Sequence, residues 1–281
     1  ISTYGKEKFS SEVPGVNSKK EKEKEKISKK KYQLIEDESQ ILKFLHKSEE
    51  IGEFAIDTET NSLDAHQAKL VGISISNNIG SASYIPLNHS EKKNLNEDRV
   101  LSIFKPFLED KSIKKIGQNV KFDYIIFWHR GINLQNIEDT MLMSYVLDAG
   151  KNRHNMDTLS DIHLDHKTIK FKDIVGSGKK QISFSEVKIE IAKDYAAEDA
   201  DITYRLYKIF NKSLKSEKLT NIYELFEKPL IKILAQMEIN GIKLDNLFLK
   251  KLSVKFEKKI DDLKKKIFKI SKKKNSNIAS T

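Results

Sequence analysis

The chain has 281 residues, of which 33% are charged and 38% hydrophobic, a net charge of +10 and no cysteine. That length carries one well-buried domain with some appended helix. The missing thiols exclude disulfides, thiolate zinc sites and cysteine nucleophiles, so any metal must sit on oxygen or histidine, and they agree with a reducing compartment. The positive balance favours a polyanionic partner, nucleic acid first, although lysine runs on solvated faces explain it equally well. No apolar run reaches the roughly 18 residues that span a bilayer, and no apolar signal-peptide core opens the chain; the expectation is a cytoplasmic or organelle-internal protein with no membrane partner. The first methionine is Met141, so we read the sequence as a fragment.

Residues 1–31, with Gly5, Pro14, Gly15 and the run KKEKEKEKISKKK, lack apolar periodicity and read as a lysine-rich linker. Patterning starts at Tyr32 with a short strand, followed by a helix opening at Asp37 whose apolar face is Ile41, Leu42, Phe44 and Leu45. Three strand-like runs follow over residues 53–58, 69–76 and 81–87, the last two joined by a turn at 77–80, which makes an antiparallel meander. Then come a helix over 98–108, a strand over 114–117 and helices over 120–130, 138–147 and 156–164. After about Asn211 the character changes: residues 223–240 read as a long apolar-periodic helix closed by Gly241, with a lysine-rich helix over 247–274 beyond it. A meander followed by alternating strands and helices predicts an α/β fold, a mixed sheet flanked by helices.

Three acidic motifs punctuate this pattern. In Asp57-Thr58-Glu59, at the end of an apolar strand, side chains two apart face the same way and can converge on a metal, although acidic residues also commonly end strands. Asp123 falls in the first turns of the helix after Gln118-Asn119, where the helix dipole alone accounts for a carboxylate and Asn119 suits an N-cap. Tyr195 and Asp199, four apart in an alanine-rich helix, lie on one helical face, as many exposed pairs do. Four carboxylates in one pocket would repel unless divalent cations neutralised them, and hard oxygen donors suit Mg²⁺ or Mn²⁺.

Together these motifs form the ordered signature of the DEDDy exonucleases. The stretches FAIDTETNSLD, IKKIGQNVKFDYIIF, TIKFKDIVGSGKKQISF and YAAEDADITYRLY resemble the proofreading 3′→5′ exonuclease domain of bacterial-type, family A DNA polymerase I, and FEKPLIKILAQMEINGIKLD and NSNIAST resemble the start of its polymerase domain. The resemblance spans residues 32–281 and implies a ribonuclease H-like exonuclease domain over 32–212, with the N-terminal helical part of a truncated polymerase domain over 213–281. It implies hydrolysis of the terminal phosphodiester of DNA with two metal ions, release of nucleoside 5′-monophosphates, and a proofreading role in replication and repair. Asp57, Glu59 and Asp199 would hold the first ion, Asp57 would bridge to the second, Asp123 would support that second ion through water, and Tyr195 would orient the attacking water. Thr58, Leu63, Gln118, Asn119 and Phe171 match positions that hold a single-stranded or frayed 3′ end, with core packing the plain alternative for Leu63 and Phe171. All four carboxylates and the tyrosine are present; Val120 and Phe122 depart from the second motif without touching a ligand. The expected partners are DNA and the polymerase domain of the same parent chain, in a monomeric protein.

Two alternatives share these residues: a stand-alone exoribonuclease similar to ribonuclease D, against which the tail from Tyr223 argues, and a catalytically silent domain that positions DNA. A phosphate loop at residues 175–179 is rejected because Asp173 and Lys180 stand where glycine and a hydroxyl residue are needed. His163 and His166 lack a third soft ligand.

Overall fold

The computed structural model describes residues 31–271. The expected linker lies outside them except for Lys31, as do the last ten residues. The described residues divide into one compact unit ending at Gln236 and a second from Met237 onward.

The first unit is built on a six-stranded mixed sheet in the order β1 (Tyr32–Leu34), β4 (Ser81–Pro86), β3 (Leu70–Asn78), β2 (Glu53–Thr60), β5 (Lys114–Gly117), β6 (Ile137–Asp139). The meander β2-β3-β4 is antiparallel, while β1 runs parallel to β4 and both β5 and β6 continue parallel from β2. The helices are α1 (Glu38–Ile51), α2 (Glu97–Glu109), α3 (Lys121–Trp128), α4 (Thr140–Asp148), α5 (Met156–Leu164), α6 (Phe171–Val175), α7 (Ile189–Ser216), α8 (Thr220–Ile222), α9 (Lys228–Asn240) and α10 (Asn246–Ser271). The last of these and the end of α9 lie in the second unit. Among the described residues no helix is long and apolar enough to cross a membrane.

Local chemistry sets the boundaries. The Asp37 side chain caps α1 by accepting from the Gln40 N–H, and Gly52, with φ 81°, ends it in the left-handed region while donating to the Ser48 and Glu49 carbonyls. Three expectations are corrected. The helix expected over 138–147 starts two residues later, because Ile137–Asp139 pair with β5 as the edge strand β6, and Asp139 then caps α4. Leu42 is exposed, since the face α1 buries carries Ile41, Leu45 and Ser48. The helix expected over 223–240 begins as a π-helical turn, Tyr223–Glu227, before α9.

The long helix α7 packs against β1 through β5. It approaches closely because Ala192, Ala196, Ala197 and Ala200 meet the sheet, packed around Val71, Ala82 and Tyr84. Ala55 of β2 packs in one cluster with Ile202 and Leu206 of α7, so Asp57 and Glu59, two and four residues further on, face the same helix. The opposite face of β2 is anchored by Phe54, whose ring meets Phe44 of α1 edge-on at 6.0 Å.

Gly72 pairs with Glu59 across β2 and β3, and a Cβ there would come within 2.1 Å of the Tyr84 hydroxyl oxygen. The phenol ring occupies the space a side chain at 72 would take. Its hydroxyl is fixed by the His89 Nε2 at 2.7 Å, and His89 Nδ1 lies 3.0 Å from the Val187 carbonyl. Gly72→Ala should therefore destabilise the fold by about 1–3 kcal/mol through overpacking of the buried Tyr84. Urea unfolding checks this, and an unchanged midpoint would count against the packing described.

Candidate metal centre and nuclease cleft

Three elements of the first unit converge on one cleft of about 780 Å³. The end of β2 brings Asp57, Thr58 and Glu59, the first turn of α3 brings Asp123, and α7 brings Tyr195 and Asp199 one turn apart. All ten residues singled out from the sequence line it, Leu63, Gln118, Asn119 and Phe171 included.

The carboxylates are not equivalent. Asp57, Glu59 and Asp199 each present an oxygen within 4.8 Å of the others. Asp123 stands beside them, its Oδ1 accepting from the Thr58 N–H at 3.0 Å and from the Thr58 hydroxyl at 2.5 Å. Burial, with Asp199 adding to it, pushes the Asp57 carboxyl up to about 8. Asp199 is also pushed up to about 8, by burial first, then by Glu198 and Asp157, against a lowering hydrogen bond from the Tyr195 hydroxyl. Glu59 is held well above the carboxylate range by burial and then by Asp57, Asp199 and Asp123. For Asp123 burial and Asp57 outweigh the two bonds from Thr58.

Such a group accepts protons or divalent cations. Oxygen-only donors fit Mg²⁺ or Mn²⁺, and the buried Glu59 Oε1 has no hydrogen-bond partner, an orphaned acceptor that a cation would satisfy. Burial and the Asp199 carboxylate raise the pKa of Tyr195, so it stays a neutral phenol, able to donate a proton in a hydrogen bond but not to act as a base.

One wall is aromatic. Phe171 lies 6.1 Å from Phe184, nearly parallel at 9°, and Tyr195 leans on both at 6.1 and 6.0 Å. Leu63 is 96% exposed and Phe171 42%, which sets core packing aside for both and leaves their surfaces open to a ligand. Gln118 is held by its own bonds, Nε2 donating to the His154 carbonyl at 2.8 Å and Oε1 accepting from the Thr140 hydroxyl at 2.5 Å. Asn119 does not cap α3: it takes the left-handed conformation with φ 61°, and no side chain caps that helix. The backbone N–H groups of Asn119 and Val120 instead donate to the buried Asp139 carboxylate, each at 3.0 Å.

Sequence reasoning passed over Asp139, Asp157, Phe184 and Glu198. Asp157 and Phe184 also line the cleft, and Glu198 was legible only as the neighbour of Asp199. His166 joins no histidine cluster; its Nε2 lies 3.0 Å from Glu198. His163 meets Phe210 edge-on at 4.9 Å.

A mixed six-stranded sheet flanked by helices, with acidic groups gathered at the end of its central strand, defines the ribonuclease H-like exonuclease class. Among solved structures, NrnC of Brucella melitensis is 26% identical with a TM-score of 0.54, over 68% of this chain and 86% of that one. The POL domain of Pol1 from M. smegmatis reaches a TM-score of 0.66 at 18% identity, over 87% of this chain and 38% of that one, a likeness of fold. Residues 32–215 match the family model described as 3′-5′ exonuclease, and the chain belongs to that family of enzymes. Curated relatives include DNA polymerase I of Rhizobium leguminosarum, 40% identical over 242 residues, covering 79% of this chain and 24% of that protein. DNA polymerase I of Pseudomonas aeruginosa is 42% identical over 221 residues, covering 76% and 24%. The chain thus spans about a quarter of the length of these relatives.

Raised carboxyl pKa values favour folding below the ordinary carboxylate range near pH 4, and that contribution is lost as pH climbs towards about 8. Mn²⁺ should therefore raise the melting temperature of chelator-stripped protein more at about pH 8 than at about pH 5. Equal shifts at both would contradict the electrostatic account of the cleft.

Proposed function

We propose that this domain hydrolyses the terminal phosphodiester at the 3′ end of DNA, releasing nucleoside 5′-monophosphates with the help of two Mg²⁺ or Mn²⁺ ions, and so proofreads within a DNA polymerase I. The observation that carries the reading is the convergence of Asp57, Glu59 and Asp199 oxygens within 4.8 Å, beside Asp123 and with Glu59 Oε1 orphaned. Asp57, Glu59 and Asp199 would hold one ion, with Asp57 and, through water, Asp123 holding the other. Bound there, the ions supply the positive charge and Lewis acidity of an in-line phosphoryl displacement.

The chain's own groups do the rest. Thr58 orients Asp123 through both its N–H and its hydroxyl. Tyr195, a neutral phenol, positions the attacking water. Phe171 and Leu63 offer exposed apolar surface on which a terminal base of any identity can stack, as a nuclease that removes every nucleotide needs. Gln118 and Asn119 line the β5 end of the cleft, where they would meet the 3′-terminal nucleotide. The relatives being DNA polymerases supports reading residues 213–281 as the start of a polymerase domain and DNA as the substrate. One observation favours a second reading: NrnC, a neighbour at 26% identity, has been solved bound to pGG, so short oligonucleotides of either sugar belong in the same digestion assay.

Asp57→Ala should slow single-turnover digestion of a 3′-labelled oligonucleotide about a thousandfold, corresponding to roughly 4 kcal/mol of transition-state stabilisation. A wild-type rate would refute the assignment. Because unpairing a mismatched end costs less, mispaired 3′ termini should be cut faster than paired ones, and equal rates would argue against proofreading.

A further inference from the structure

The segment that delivers Phe171 to the cleft is irregular backbone, residues 165–170, between α5 and α6. Without a strand ladder or helix to fix it, its course depends on the few bonds it makes. Two buried or cleft-lining acids that the chemistry above leaves unused supply them. Glu198 is fully buried on α7, one residue before Asp199. Its Oε2 accepts from the Ile169 N–H at 2.6 Å, and its Oε1 lies 3.0 Å from His166 Nε2. From α5, Asp157 Oδ1 accepts from the Thr168 hydroxyl at 2.5 Å. Ser160 closes the other end, its hydroxyl donating to the His166 carbonyl at 2.9 Å and its own carbonyl accepting from the His166 N–H at 3.3 Å. Residues 166, 168 and 169 are thus tied to α5 and α7 just before Phe171 stacks on Phe184 and meets the tilted ring of Tyr195.

A fully buried carboxylate is costly unless each oxygen is used, and both Glu198 oxygens are used on this one segment. The same helix turn that points Asp199 into the acidic cluster therefore grips the strand of chain leading to the aromatic wall. We infer that Glu198 is a positioning residue for the 3′ end: by holding Ile169 and His166 to α7 it sets the Phe171 wall at a fixed place relative to the Asp199 carboxylate. The inference rests on the exonuclease reading above and adds to it how the base-contacting wall and the acidic cluster stay in register.

The test is steady-state digestion of a single-stranded 3′-labelled oligonucleotide with Mn²⁺. Glu198→Leu, which keeps volume and removes the grip, should raise KM about tenfold while kcat changes less than about threefold, the pattern of a lost binding surface. Glu198→Gln should stay near wild type, because its amide can accept from Ile169 and donate to His166. In a Phe171→Ala background, Glu198→Leu should add less than about twofold, since the element it positions is already gone. Mn²⁺ binding measured by calorimetry should survive in Glu198→Leu. A fall in kcat at constant KM, loss of Mn²⁺ binding, or a full multiplicative effect on top of Phe171→Ala would overturn the inference. If Glu198→Leu does not fold, His166→Ala, which removes one of the two bonds at a partly exposed ring, must show the same KM pattern and the same masking by Phe171→Ala; its absence is equally fatal. A wild-type chain that does not digest DNA or RNA ends refutes the nuclease reading and this inference with it, whereas an active wild type matched by Glu198→Leu refutes this inference alone.

Discussion

Carboxylates repel, and burial makes the repulsion worse, so three acidic oxygens within 4.8 Å of one another, with a fourth acid alongside, are unstable as bare anions. The consequences spread outward from that point. Protonation answers the repulsion below about pH 8 and cations answer it as the protons leave, which is why the arrangement that costs folding energy is also one suited to a divalent cation. A chain selected for stability alone would not put Asp57, Glu59, Asp123 and Asp199 at one place.

Much of the surrounding structure serves to hold that arrangement together. Period-two alternation on β2 turns Asp57 and Glu59 towards α7, and the alanines of α7 let the helix come near enough for Asp199 to meet them. Gly72 leaves the room beside Glu59 that Tyr84 fills, and Thr58 steers Asp123. Asp139, at the end of β6, gathers the backbone N–H groups of Asn119 and Val120 and so shapes the turn from which α3 and Asp123 start. Even the start of the chain's last helices takes part: the Asp139 N–H donates to the Tyr223 hydroxyl at 2.9 Å, and Lys228 pairs with Glu138 at 2.8 Å.

The meander, the helices α1 to α3 and the acidic motifs were legible because each rests on a period or a spacing that the linear pattern displays. What escaped was whatever depends on a partner distant in the chain. Three residues of β6 carry no strand period and become a strand only because β5 is beside them. Leu42 matches the helical apolar stripe, yet the neighbours of α1 decide which edge of that stripe is covered. Asn119 has the residue type of a cap, but Asp139, 20 residues away, took over the free N–H groups. Glu198 sits next to a candidate ligand and looks like its spare neighbour; its use appears only when residues 166–169 fold back onto α7.

Diffraction from crystals soaked in Mn²⁺ with a nucleoside monophosphate, recorded at the manganese absorption edge, tests the central claim most directly. The account requires anomalous peaks inside the cleft, bonded to Asp57, Glu59 and Asp199, with Asp123 reaching the second site. Peaks elsewhere on the molecule, or a cleft that binds nucleotide and no manganese, would contradict it.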